Sequence, residues 1–288
     1  MSNKGYFKGW YFKCCNGDKT VAFIVAFHRS NGVKSASLQV ITDDNVYNIP
    51  FEKLEYTKKP LSVKIGDCGF SEKGITLNFH SSQCNLEGTL HFESLTSIAY
   101  DIMGPFALVP FMQCRHAVYS MKHKIDGCIK INDQQFDFNN GVGYIEGDRG
   151  YSFPKRYIWT QCNFENISLM LSVADIPMLG LHFTGIIGAV MLNGKEYRIA
   201  TYLGARVKQI GKNSVTVKQG SYELTARLLE KNSHPLFAPT NGNMSRTIHE
   251  SASCKAQYRF SHKNTVFCDF VSEKASFEFE YSDLNPAS

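Results

Sequence analysis

The sequence predicts an all-β protein built as two tandem antiparallel β-barrels or half-barrels. Three observations carry this. Short segments alternate apolar and polar residues from one end of the chain to the other. No window of helical length keeps a 3.6-residue period. The two halves of the chain echo each other in sequence.

The elements follow in order. An aromatic-dense opening turns at Asn16, Gly17 and Asp18, and residues 21–27 (VAFIVAF) form an apolar run of strand length. Residues 37–42, 61–65, 75–79 and 86–92 alternate at period two, as half-buried antiparallel strands do. Gly, Asn, Asp and Pro stand between them as turn residues. Residues 104–113 (GPFALVPFMQ) carry two prolines on an apolar body and read as a buried loop or lid. Residues 117–130 read as a hairpin. The central stretch, residues 143–164, begins as a turn punctuated by Gly147, Gly150 and Pro154 and continues as a strand. On that strand Tyr157, Trp159 and Gln161 share one face, and Ile158, Thr160 and Cys162 the other. Beyond it, residues 168–173, 186–192, 197–202, 214–218, 222–228, 256–260, 266–271 and 275–281 read as strands, while 176–185 and 233–251 read as loops.

The repeat emerges when KGWYFKCCN (8–16) is placed over KRYIWTQCN (155–163), an offset of 147. Lys8 meets Lys155, Cys15 meets Cys162, Asn16 meets Asn163, and aromatics coincide at Trp10/Tyr157 and Phe12/Trp159. Each half also carries a Pro-containing apolar segment followed by Met, Arg and His: Met112, Arg115 and His116, then Met244, Arg246 and His249. Two modules of about eight to ten strands each match lipocalin-like barrels that hold one small ligand. The expected domains are 1–140 and 141–288, joined near residues 138–146.

Bulk properties narrow the function. The 288 residues are 43% hydrophobic and 20% charged, as in ordinary globular chains. The 21 Phe and 14 Tyr suit strands and apolar cavities. A formal charge of +5, with no basic run longer than Lys58-Lys59, argues against nucleic acid. The opening MSNKGYFKGWYFKCC has no apolar core of signal-peptide length, and the nine dispersed cysteines suit reduced thiols, so a cytoplasmic protein is expected. The longest apolar run, 186–192, is too short to span a bilayer, although 104–112 and 176–185 are apolar enough to act as rims that touch one. No CxxC, HExxH, P-loop, GxGxxG or GxSxG occurs, so neither a metal nor another cofactor is expected. The expected partner is a hydrophobic small molecule.

Several residues are candidates for chemistry. Glu146 and Asp148 could converge in a turn beside aromatics, where one carboxyl would be kept protonated as an acid catalyst. They could equally be a hairpin tip paired to Arg149, Lys155 or Arg156. Trp10 and Trp159 either wall a pocket or close the barrel cores. His116 and His182 are each a general base or hydrogen-bond donor, or a satisfied core histidine. Cys114 with His182 is a further nucleophilic pairing, set against cysteine's common role as a small hydrophobe.

Four pieces of the sequence resemble the tocopherol cyclase family: YFKGWYFK (6–13), MGPFALVPFMQCRH (103–116), EGDRGYSFPKRYIWTQ (146–161) and PLFAP…GNMSRTIHES (235–251). The pattern E-x-D-x-G-x-S-F-P-x-x-Y-x-W-x-Q in the third piece is long and specific. More distantly, the chain is similar to carotenoid hydratases and lipocalin-like Diels–Alderases, which implies the same two-barrel fold. The resemblance implies redox-neutral, acid-catalysed closure of a prenylated hydroquinone to a chromanol. Glu146 or Asp148 would be the acid, and His116 or Gln161 would orient the phenol. Trp10, Tyr11, Tyr157 and Trp159 would be the walls, with His182 also lining the site. A hydratase would admit water to the same cation, and a carrier would bind the ligand unchanged.

Overall fold

The computed structural model describes residues 5–17, 19–110, 112–178, 181–230 and 234–281. The first sheet holds β1 (Tyr6–Asn16), β2 (Lys19–Ser30), β3 (Val33–Thr42), β4 (Val46–Phe51), β5 (Glu55–Lys58), β6 (Leu61–Ile65), β7 (Cys68–Ser71), β8 (Gly74–His80), β9 (Asn85–Phe92), β10 (Cys114–Ile131), β11 (Gln134–Asp137) and β12 (Gly141–Gly150). The second holds β13 (Tyr157–Phe164), β14 (Ile167–Met178), β15 (Leu181–Leu192), β16 (Lys195–Ala200), β17 (Arg206–Gly211), β18 (Ser214–Gln219), β19 (Tyr222–Glu230), β20 (His234–Thr240), β21 (Asn243–His262) and β22 (Thr265–Glu280). The all-β, lipocalin-like class read from the sequence is the class observed.

Both sheets share one plan. The first runs β4-β3-β2-β1-β12-β10-β9-β8-β7-β6-β5, with β11 on β10. The second runs β16-β15-β14-β13-β22-β21-β19-β18-β17, with β20 on β21. In each, a four-strand meander opens the module, and its first strand pairs antiparallel with the module's last. The chain divides into two compact units, one of residues 1–98, 114–152 and 237–246 and one of 99–113, 153–236 and 247–288.

In the first unit, side chains from β1 to β4 and β6 to β12 meet in a single apolar cluster. A flat sheet could not bring them together, so this one wraps around its core. Phe12 of β1 and Phe23 of β2 both reach Phe70 of β7, with ring centroids 5.5 and 5.6 Å apart. The second unit closes its own cluster with Ile158, Leu171, Val190, Tyr258, Phe260 and Phe277. All nine cysteines are free. No helix of the described residues is long and apolar enough to cross a membrane.

Several segments depart from their sequence reading. Residues 143–150 belong to β12, not a turn. Two of their glycines serve close approach rather than reversal: a Cβ on Gly147 would lie 2.7 Å from the Gly9 carbonyl oxygen. Strand β12 also lies beyond the expected junction at 140/141, yet pairs with β1 and β10, so the change of sheet falls between Gly150 and Tyr157. The expected hairpin at 117–130 is one long strand, β10, whose register shifts at Val118/Ser120 and Ser120/His123 absorb the irregular pattern. Residues 176–178 and 181–185, read as a loop, are paired ends of β14 and β15, and 234–240 and 243–262 are strands. Residues 104–108 form a 3-10 turn with Leu108 86% exposed, so this segment is neither a strand nor fully buried. Phe111 of that segment lies outside the described residues.

Gly143 tests the close-approach argument. An added Cβ would lie 2.2 Å from Nε2 of His123. That ring cannot yield easily, because it packs on Phe92 at 4.4 Å and bonds Ser120 Oγ through Nδ1 at 3.0 Å. Gly143→Ala is expected to cost about 2–3 kcal/mol in denaturant unfolding. A loss below about 0.5 kcal/mol would mean that the strand tolerates a side chain there.

Candidate active site

The alternation of β12 sorts its residues onto two faces. Ile145 joins the apolar cluster, so Tyr144, Glu146 and Asp148 stand on the opposite face. That face is not a wet surface: Glu146 is 5% exposed, and Tyr11 and Lys13 of β1 are 7% and 2% exposed. The acids therefore do not point into the barrel core, whose Trp10, Phe12 and Phe70 fill it.

The register builds the site. His116 on β10 lies directly across from Asp148, and Val118 across from Glu146, so the His116 ring is diagonal to Glu146 and can reach both acids. Its Nδ1–H donates to Asp148 Oδ1 at 2.9 Å. Its Nε2 lies 3.0 Å from Glu146 Oε2 in an ion-pair contact. Tyr144, two residues before Glu146, donates its hydroxyl to Glu146 Oε2 at 2.5 Å. The Cys114 thiol points at Asp148 Oδ1 from 3.4 Å. From the other side, Tyr11 lies across from Glu146.

Electrostatics follow from this packing. Burial alone would strip the proton from His116, but Glu146 and Asp148 outweigh it and hold the imidazole well above its usual range. At neutral pH the ring is thus an imidazolium between two acids. Burial, and then Glu146, push the Tyr144 phenol well up, so it stays a donor. Burial, and then Asp148, do the same for the Cys114 thiol. A thiol held protonated is a poor nucleophile.

The site residues expected from sequence fall into two sets. His116, Glu146, Asp148 and Tyr11 share one face of the first unit. Trp10 is in that unit's core cluster, on the other face of β1 from Tyr11. Tyr157, Trp159 and Gln161 share the face of β13 turned away from the second unit's core, and all three are buried. Tyr157 donates to Glu278 of β22, while the Gln161 amide has no partner among the described residues. His182 lies in β15, with its side chain outside the described residues.

The sequence reading missed Tyr144 and Glu278. A period-two reading of 144, 146 and 148 would have found Tyr144. Glu278 depends on the repeat's register. Glu146 faces Tyr11, and Glu278 faces Trp159. Matching faces therefore sets the offset at 148 (159 less 11) rather than 147. At 147, Cys15, outside the core cluster, would be laid over Cys162, inside one. A slip of one residue turns every side chain to the wrong face.

His116, Glu146 and Asp148 each offer a ligand atom, all within 4.8 Å of one another. The two ring nitrogens face different carboxylates, so one ion could join the ring to either acid only by replacing the proton there. Protons suit this donor set as it stands.

Titration gives a stability prediction. Burial depresses His28 and His123 to about 4. A depressed pKa contributes stability that is present above about 6.5 and lost as pH falls through about 4, of order 3 kcal/mol each at 1.36 kcal/mol per unit. His116 has the opposite sign: its raised pKa contributes stability below about 6.5 that is lost as pH rises through the folded value. Unfolding free energy should therefore fall steeply from pH 6.5 to 4, and less so in His28→Gln/His123→Gln. A slope unchanged by that double substitution would assign the acid loss to carboxylates.

A family model described as tocopherol cyclase-like matches residues 96–279. This span contains three of the four resembling pieces; residues 6–13 lie outside it. No curated protein sequence matches the chain. Solved structures share the fold. The crystal structure of CghA is 9% identical, covers 97% of this chain and 89% of its own, and has a TM-score of 0.63. Kievitone hydratase from Nectria haematococca is 9% identical over 96% and 89%, with a TM-score of 0.57. A putative AttH from Nitrosomonas europaea is 9% identical over 96% and 93%, with a TM-score of 0.53. At such identities these likenesses bear on the fold alone.

Proposed function

The chain belongs to the tocopherol cyclase-like family, and from that premise we propose that it is an acid catalyst of redox-neutral addition to an isoprenoid double bond, closing a prenylated hydroquinone to a chromanol. The observation that supports this reading is one imidazolium held between two carboxylates on a buried face. Asp148, with its side chain 22% exposed against 7% for Glu146, is the acid that a substrate reaches first.

The proton held between His116 Nδ1 and Asp148 is the one delivered, through Asp148, to the alkene carbon that leaves a tertiary cation. The phenol oxygen captures that cation, and the phenol's proton returns to the carboxyl just emptied. Atoms balance, and the product is an isomer of the substrate. Two carboxylates beside the reacting carbon favour the developing cation more than the neutral ground state. Glu146, fixed by Tyr144, keeps the ring charged and oriented. The Tyr11 ring supplies an aromatic neighbour on the same face.

Anaerobic incubation of the purified protein with a prenylated hydroquinone is expected to yield a chromanol of unchanged mass. A product heavier by one water would assign a hydratase. Substrate returned unchanged would make the protein a carrier.

A further inference from the structure

A second constellation lies on the opposite face of the same strands. Lys8 of β1 is directly across from Arg149 of β12, and Arg149 is directly across from Arg115 of β10. Three cations thus stand side by side on adjacent strands, an arrangement that costs the sheet stability. The row shares its face with Trp10, so it continues the core side of the sheet at one end. Lys8 is 6% exposed, with Nζ 3.8 Å from the Tyr56 ring centroid and 4.6 Å from that of Trp10. Burial, and then Lys58 and Arg149, lower its amine to about 8.

Lys8, Lys58 and Arg149 differ from six basic residues elsewhere in the chain. Lys124, Arg156, Arg198, Lys208, Lys255 and Arg259 each lie against a carboxylate. Among the described residues, no carboxylate lies within ion-pair distance of Lys8, Lys58 or Arg149. Asp148, next along the chain, is turned to the other face and bonded to His116. A lysine more than nine-tenths buried, its amine beside further cations and with no carboxylate against it, favours an anion from outside the chain.

We infer that Lys8, Arg149, Arg115 and Lys58 form an anion site, walled by Tyr56 and Trp10, that binds a phosphate group. Arg supplies a planar fork matched to phosphate oxygens, and Lys supplies a point charge beneath them. A dianion fits a row of this charge better than a single carboxylate does. The site does not depend on the proposed chemistry, which uses the other face of β12. The phosphate could be free or the headgroup of a lipid.

The test is titration of the full chain with inorganic phosphate at constant ionic strength, followed calorimetrically, with dihexanoyl phosphatidic acid as a second arm. Saturable binding is expected, weakened roughly tenfold or more in Lys8→Met and several-fold in Arg149→Gln, the weight of charge-assisted contacts. Lys34→Met, at an exposed lysine on β3, should bind as the parent does. If only the lipid binds, with the same dependence on Lys8 and Arg149, the site stands and takes a headgroup. Should Lys8→Met fail to fold, the exposed Arg149 decides through Arg149→Gln. No saturable binding in either arm, or equal binding by the parent and Arg149→Gln, overturns the proposal.

Discussion

Asp148→Asn is expected to lower kcat for ring closure by about 10²–10⁴-fold while leaving KM within a factor of about three, the usual weight of a positioned acid. The substitution keeps the size of the side chain and an oxygen to accept from His116 Nδ1, and Asp148 is not deeply buried, so folding should survive. What it removes is the exposed site that a proton must cross to reach the alkene. His116→Gln should be equally damaging, since it empties the proton store. The double variant should be no worse than either single one, because residues that act as a unit lose their function once. Glu146→Gln should cost less, because Tyr144 still bonds an oxygen there and the more exposed acid, Asp148, is kept. Additive losses for Asp148 and His116 would break the relay into two independent roles.

The largest stability effect is expected at Arg198, in the second unit. Arg198 is 8% exposed, and its guanidinium is fully engaged. Nη2 donates to the Tyr100 carbonyl at 2.9 Å and to Glu196 Oε1 at 2.7 Å. Nη1 donates to the Asp101 carbonyl at 3.2 Å and to the Tyr202 hydroxyl at 3.3 Å, and Nε returns to Glu196 at 3.1 Å. Glu196 in turn accepts from the Ala99 amide at 2.7 Å. One side chain thus ties residues 99–101 to β16. Arg198→Met would orphan two carbonyls and leave Glu196 without its ion pair, an expected loss of about 3–5 kcal/mol. Proteolysis should then cut near the exposed Leu108. Arg198→Lys should be intermediate, since it keeps the charge and loses the fork. An Arg198→Met protein that unfolds at the parent's denaturant midpoint would show the tie to be dispensable.

What could be read from the sequence followed the range of the interaction. Tyr157, Trp159 and Gln161 take the face that their alternation predicts, because period two is a local property of the strand. Glu146 and Asp148 stood out as neighbouring acids, and His116 as a histidine after an apolar segment. That His116 lies between them is a matter of β10–β12 register, set by bulges at Ser120 that leave no local signature. The glycines misled in a physical way. Gly147 read as a turn residue inside a stretch that opens at Gly143, yet Gly143 and Gly147 make room for His123 and for the Gly9 carbonyl, contacts made with other strands. Reading them as a turn hid Tyr144. The repeat was visible in Lys, Cys and Asn, but letters matched at 147 where faces match at 148, and only pairing with β12 and β22 separates the two.

The central claim is that a proton from the triad enters the product at carbon. Turnover of a prenylated hydroquinone in deuterium oxide, read by mass spectrometry and NMR, addresses it most directly. The account predicts a chromanol carrying one carbon-bound deuterium at the former alkene position, with both label and product lost in Asp148→Asn. A chromanol free of carbon-bound deuterium, or a labelled product formed equally well by Asp148→Asn, would contradict it.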